Sequence, residues 1–340
     1  MNDVIFYQNN GISVNDPKDI KTSFYIQENL KQDNFDSRFF YAGDSINYEL
    51  DRICVDLYDV FTQKIFVDIK DYYRYIDYLP YIVMKAGLDS DCNLAKEQFQ
   101  QFIEQDLGMS QLAVYKNDET KVIYAFLEKH KYQYLYLSDC QALINSVQEL
   151  LQNFVFFYKL LCEIDGPKDF CDDYYAISSE GRIVISIASN IFISLYSIFD
   201  ILAQLAYELE NIKDCSENYS KLASSKKLFG DRKHLQTVNI KGTVFEKNRT
   251  ISIIENLRNE LVHNAVWEMN SKIFFRIKDG VIIDKTIYFP DFSEDGHLET
   301  YKNRKRFFSK GIKLNEILPT IYFDALQKIK VTLERLVEIN

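Results

Sequence analysis

Arg258, Asn259 and His263 fall within the run Ile251 to Trp267, which reads ISIIENLRNELVHNAVW. Histidine titrates near neutrality and can take or give a proton during a reaction. Arginine presents a planar fork of donors that matches phosphate oxygens and stabilises negative charge as it develops. The set suits metal-free chemistry on a phosphate ester: His263 as acid/base, Arg258 as phosphate and transition-state stabiliser, Asn259 bonding the phosphate or steadying the imidazole ring.

These side chains need a rigid carrier, and the spacing supplies one. Ile254, Leu257, Leu261 and Ala265 recur at three- and four-residue steps, the period of one helical face. Glu255, Asn259 and His263 fall away from that face, and Arg258 sits on its border. Arg258 and His263 are five residues apart, about 140° around a straight helix, so one helix does not aim both at a single point. Two copies across a two-fold axis do.

The most apolar stretch, Gly181 to Leu209, predicts a second helix beside the first. From Arg182 to Phe199 it carries no charge after its first residue. A membrane span needs roughly 20 consecutive apolar residues. Here Ser186, Ser189, Asn190, Ser194, Ser197, Asp200, Gln204 and Glu208 interrupt the run with a polar stripe of helical period. A central bundle helix fits that pattern, and no membrane partner is expected.

The run R-N-x3-H resembles the R-x4-H motif of the HEPN superfamily, many of whose members are metal-independent ribonucleases of toxin–antitoxin, abortive-infection and antiviral systems. The resemblance covers residues 145–340. It implies an all-α, HEPN-like helical bundle, RNA as substrate, a homodimer whose two motifs line one cleft, and an antitoxin or regulatory protein as a further candidate partner. The stretch SLYSIFDILAQL is similar to the helix beside the motif helix in some HEPN families, so Asp200 becomes a second-shell candidate that orients Arg258 or His263 by a charge-assisted hydrogen bond. Capping or pairing of Asp200 elsewhere remains open. In one toxin subfamily the motif continues as H-x-Y and a partner enzyme modifies the tyrosine. The corresponding residue here is Ala265, which argues against that route of neutralisation. A HEPN-like fold can also lack catalysis and bind a nucleic acid or protein partner, which is the alternative reading.

The remaining sequence bounds these readings. The net charge of −10 belongs to residues 1–150, with 14 basic and 24 acidic side chains, whereas residues 151–340 hold 26 of each. Two basic segments flank the motif. Residues 221–249 carry 8 Lys/Arg against Asp231 and Glu246, and Lys302 to Lys313 carry six positive charges and no acid. Lys302, Arg304, Lys305 and Arg306 are the candidate RNA contacts, through the sequence-independent attraction of phosphate. The tyrosines of Asp71 to Met84 sit among acids and read as core or interface aromatics.

Six cysteines without C-x-x-C spacing and four scattered histidines point to reduced thiols and no metal site. No cofactor is expected, since no phosphate-binding loop, dinucleotide fingerprint or nucleophile elbow occurs. The start MNDVIFYQNN has no leader pattern, so a cytoplasmic protein is expected. Helical patterns at Ile46–Phe66, Leu94–Leu107, Glu119–Lys131, Ser138–Cys162 and Asn315–Glu338, with one hairpin around Asp279-Gly280, complete the expected fold. That fold is all-α with one short β-hairpin, in two parts: an N-terminal helical domain over 1–145 and a HEPN-like domain over 146–340.

Overall fold

In a computed structural model, residues 24–28, 38–42, 44–73, 75–76, 128–164, 174–212, 218–219, 221–222, 235, 240–264, 267, 272–302 and 305–338 are described. They are mainly helical. The long helices are α1 (Asp44–Ile65), α2 (Lys131–Glu163), α3 (Ser179–Asn211), α4 (Arg249–Asn264) and α5 (Leu314–Glu338). The expected helices at 94–107 and over most of 119–131 lie outside the described residues.

α3 is central. It packs on α2, α4 and α5, and Val184, Ala188, Ile191, Leu195, Ile198, Leu202 and Leu205 are fully buried along it. By length and composition alone it could cross a membrane, the one such helix among the described residues. Its start is capped by Ser178, whose hydroxyl accepts from the Gly181 N–H at 3.0 Å. α1 packs on both α2 and α5, and its Leu50, Leu57 and Phe61 belong to the same core as the C-terminal helices. The expected domain boundary at 145 falls inside α2.

Pro319 sits inside α5 and cannot donate to the Asn315 carbonyl one turn earlier. The Tyr158 hydroxyl of α2 donates to that carbonyl instead, at 2.9 Å, so the missing bond leaves no buried acceptor unpaired. The Asn315 side chain, fully buried, accepts from Ile287 N–H and donates to the Lys285 carbonyl, tying the start of α5 to the sheet.

The strand content exceeds the single expected hairpin. That hairpin is present as β4 (Ile273–Lys278) and β5 (Val281–Thr286), and both turn residues, Asp279 and Gly280, have the positive φ a two-residue hairpin turn requires. β3 (Tyr174–Ala176) adds to it antiparallel, giving the order β3-β4-β5. Two further pairs are β1 (Phe24–Glu28) with β2 (Arg38–Ala42), and β6 (Thr300–Tyr301) with β7 (Lys305–Arg306). Of the tyrosine-rich segment, Tyr75 is buried against Phe66 and the His130 ring, in keeping with a packing role. Cys54 and Cys140 are free and buried, and burial, followed by the Asp51 charge, pushes the Cys54 thiol up to about 12.

Residues 291–310 are organised by one buried carboxylate. Asp291 accepts from the Ser309 N–H at 2.8 Å, the Ser309 hydroxyl at 2.7 Å and the Lys310 N–H at 3.0 Å. Burial pushes this acid up, but the Ser309 and Lys310 hydrogen bonds, with the Lys310 charge, outweigh it and hold it below the usual carboxylate range. Its stabilising effect is therefore present above the unfolded carboxyl pKa of about 3.9 and is lost as pH falls through the lower folded value. Asp291→Asn turns one acceptor into a donor facing these donors. A loss of about 1–3 kcal/mol is expected in chemical denaturation at pH 7, shrinking towards zero in strong acid.

A second polar cluster lies between α2 and α3. Glu208 is fully buried, and its Oε1 accepts from Gln204 Nε2 at 2.6 Å and from the Tyr219 hydroxyl at 2.8 Å. The same hydroxyl is 2.6 Å from Asp139 Oδ2, and Gln204 Oε1 accepts from the Leu222 N–H at 3.0 Å. The cluster thereby fastens residues 219 and 222 to the bundle.

Candidate functional site

The candidate residues ride on α4. Asn248 caps it, its Oδ1 accepting from the Ile251 N–H at 2.9 Å. The helix packs on α3 and α5; Ile254, Leu257 and Leu261 are buried, as the periodicity predicts, Ile251 and Ile253 are buried too, and Ala265 lies outside the described residues. The opposite face is polar: Asn259 and His263 are exposed.

Arg258 is half-buried. It donates to Asn259 Oδ1 at 3.1 Å, and its guanidinium lies 4.9 Å from the centre of the Tyr196 ring on α3. Sequence reasoning passed over Tyr196; the signal available was its place four residues before Asp200, on one side of the same helix. Asp200 is half-buried one turn beyond Tyr196. His263 makes no hydrogen bond among the described residues and is open to solvent. Arg258 and Asn259 are thus joined directly, whereas His263 points elsewhere on the same helix.

Asn256, Glu260 and His263 lie within about 60° of one another around α4. The first two are docking points. Asn256 Nδ2 is 3.1 Å from His297 Nδ1, and Glu260 pairs with Arg306 of β7. Glu260 also accepts from Asn264 Nδ2 at 3.2 Å. The segment 291–310 therefore runs along the His263 side of α4. Arg306 was expected as an RNA contact; instead its side chain is 9% exposed and bound to Glu260. Burial pushes its pKa down. Lys310 pairs with Glu299 at 2.5 Å, and Lys313 with Asp284 at 3.1 Å and Glu316 at 2.9 Å. The six-charge run is thus not one free basic face. Lys302 and Lys305 remain exposed, and Arg304 lies outside the described residues.

Most of the other basic segment, 221–249, is also outside them. Its last residue, Arg249, lies 5.3 Å from the centre of the Phe292 ring, which places the loop that precedes the second basic run at the start of α4. No group of three or more His, Cys, Asp or Glu suited to a metal occurs among the described residues.

Gly296 sets how closely the 291–300 loop approaches α4. Its φ is +88°, and a Cβ there would lie 2.5 Å from the Arg249 carbonyl oxygen. Gly280 also has positive φ, +74°, but with nothing within 4 Å of an added Cβ. Gly280→Ala should therefore cost only the left-handed backbone penalty of about 1–2 kcal/mol. Gly296→Ala should add a clash with backbone and melt a few degrees lower still. Equal melting temperatures for the two variants would contradict the tight docking.

No known protein family, no curated protein and no solved structure matches the chain.

Proposed function

We propose that this protein is a metal-independent endoribonuclease of HEPN type, acting in bacterial toxin or antiviral defence from a composite site at a homodimer interface. The observation that carries the reading is the arrangement on α4. His263 is solvent-open and unbonded among the described residues, on the same helix as Arg258. His263 serves as acid/base for attack of the RNA 2′-hydroxyl on its own phosphate. Arg258 neutralises the charge that develops there. Asn259 positions the phosphate or Arg258 itself. The two groups diverge around the helix, which favours a cleft built from two copies.

The second reading is a non-catalytic HEPN-like module that binds a nucleic acid or a protein such as an antitoxin. The engagement of Arg258 by Tyr196 and Asn259 favours it, since a group satisfied within its own subunit has less to offer a substrate.

The deciding experiment incubates purified protein with total RNA in EDTA and reads the fragment ends. Fragments ending in 2′,3′-cyclic phosphate from the wild type, and not from His263→Ala or Arg258→Ala, are expected. Equal cleavage by all three would place the activity elsewhere. RNA binding without cleavage by the wild type would favour the module.

A further inference from the structure

The β6–β7 hairpin has two faces, and they differ in kind. In its register Thr300 opposes Arg306 and Tyr301 opposes Lys305. Side chains alternate along a strand, so the Thr300/Arg306 pair and the Tyr301/Lys305 pair project to opposite sides. Arg306 turns inward to Glu260 on α4. On the other side, Tyr301 is 57% exposed and Lys305 is exposed. Phe307, the residue after β7, is 42% exposed. Lys302 stands at the turn, with φ +51° and its Nζ 5.4 Å from the centre of the Tyr301 ring.

Two exposed aromatic rings, Tyr301 and Phe307, flank Lys302 and Lys305 in a run with no acid from Tyr301 to Lys313, and the Arg306–Glu260 pair anchors the hairpin. Aromatic faces that stack bases, set between cations that meet phosphates, are what single-stranded nucleic acid needs; a duplex hides its bases from such rings. The anchor is informative too. Glu260 is three residues from His263, so the Arg306 contact holds the platform beside the candidate acid/base.

Resting on the RNA reading above, we infer that the outer face of this hairpin (Tyr301, Lys302, Lys305, Phe307) is a binding subsite for single-stranded RNA. Tyr301 and Phe307 stack successive bases, Lys302 and Lys305 contact the backbone, and the strand is delivered to the His263 side of α4. The specificity that follows is for unpaired RNA, with little dependence on base identity.

The test uses the full chain carrying His263→Ala, so that RNA survives the titration. Anisotropy of a labelled 20-nucleotide unstructured RNA and of its duplex is followed at several salt concentrations. The single strand should bind more tightly. Tyr301→Leu and Phe307→Leu should each weaken it by about 5- to 100-fold, and Tyr301→Phe, which keeps the ring, should not. Lys302→Gln with Lys305→Gln should lower the slope of log affinity against log salt by about 1.4, two phosphate contacts on a single strand. The inference is overturned if the Leu variants bind like the parent, if duplex binds equally well, if polyglutamate competes as well as RNA, or if the parent binds no RNA. Cleavage assayed in the His263-containing protein separates the two claims. Cleavage with unaltered binding in the hairpin variants removes the subsite and keeps the nuclease. Binding that depends on the hairpin, without cleavage, does the reverse.

Discussion

RNA cleavage is expected to fall by about 10²–10⁴-fold in His263→Ala, the usual effect of losing a positioned acid/base. Arg258→Ala should lose about 10²–10³-fold, the effect of removing one donor to a developing oxyanion. Neither should unfold the protein. His263 is exposed and makes no hydrogen bond among the described residues, so its removal should change stability by less than about 0.5 kcal/mol. Arg258→Ala forfeits the contact with Tyr196, on the order of 1 kcal/mol at a half-buried site. Falls in activity without falls in melting temperature therefore report chemistry.

A mixed dimer takes the test further. In a heterodimer of His263→Ala with Arg258→Ala, neither subunit holds both groups, but one Arg258 and one His263 survive on opposite subunits. If the cleft uses them across the two-fold, the heterodimer recovers a substantial fraction of wild-type activity while either parent stays inactive. If each helix works alone, nothing is recovered. The geometry of α4 predicts recovery, because about 140° separates the two positions on one helix.

What the sequence made legible was local. The steps of Ile254, Leu257 and Leu261 announced the buried face of α4, and Asp279-Gly280 announced its turn through a backbone conformation that few residue pairs adopt. What it hid was tertiary. β3 is three residues long and pairs with β4 across the whole of α3 and α4, so nothing in YYA itself marks it as a strand. Arg306 reads as a candidate RNA contact because its partner, Glu260, is 46 positions away. Tyr196 carries no mark of its own in the sequence, and only the fold sets it beside Arg258. The resemblance ends at residue 145 and so leaves α1 to a separate unit, yet α1 and α2 share a core. The direction of the error is uniform. Periodicity tells which face of a helix is buried but not against what, and a charge run shows its sign but not its counter-charges.

Glu208 offers the largest predicted effect on stability, and its sign runs against the usual acid. Burial, reinforced by the neighbouring Asp139 carboxyl, pushes it up to about 9. The bonding agrees. The Tyr219 phenol has one hydrogen and two carboxyl oxygens in reach, and Glu208 Oε2 is buried with no partner among the described residues, a position too costly for full charge. A neutral Glu208 relieves both. An acid whose folded pKa is raised gives its full stability below the unfolded value, about 4.3, and loses it as pH rises towards the folded one. Between about pH 5 and 9 the native protein must hold a proton that the unfolded chain releases, at a cost of about 1.4 kcal/mol for each unit. Glu208→Gln exchanges the protonated carboxyl for an uncharged group of the same shape and removes that cost. The variant should match the wild type near pH 5 and exceed it by about 4 kcal/mol at pH 8, roughly 6 °C in melting temperature for a chain of this size. Groups common to both proteins cancel in the difference between their pH profiles. Parallel profiles, or a variant less stable at pH 8, would mean that Glu208 is ionised in the folded state and that its charge is compensated.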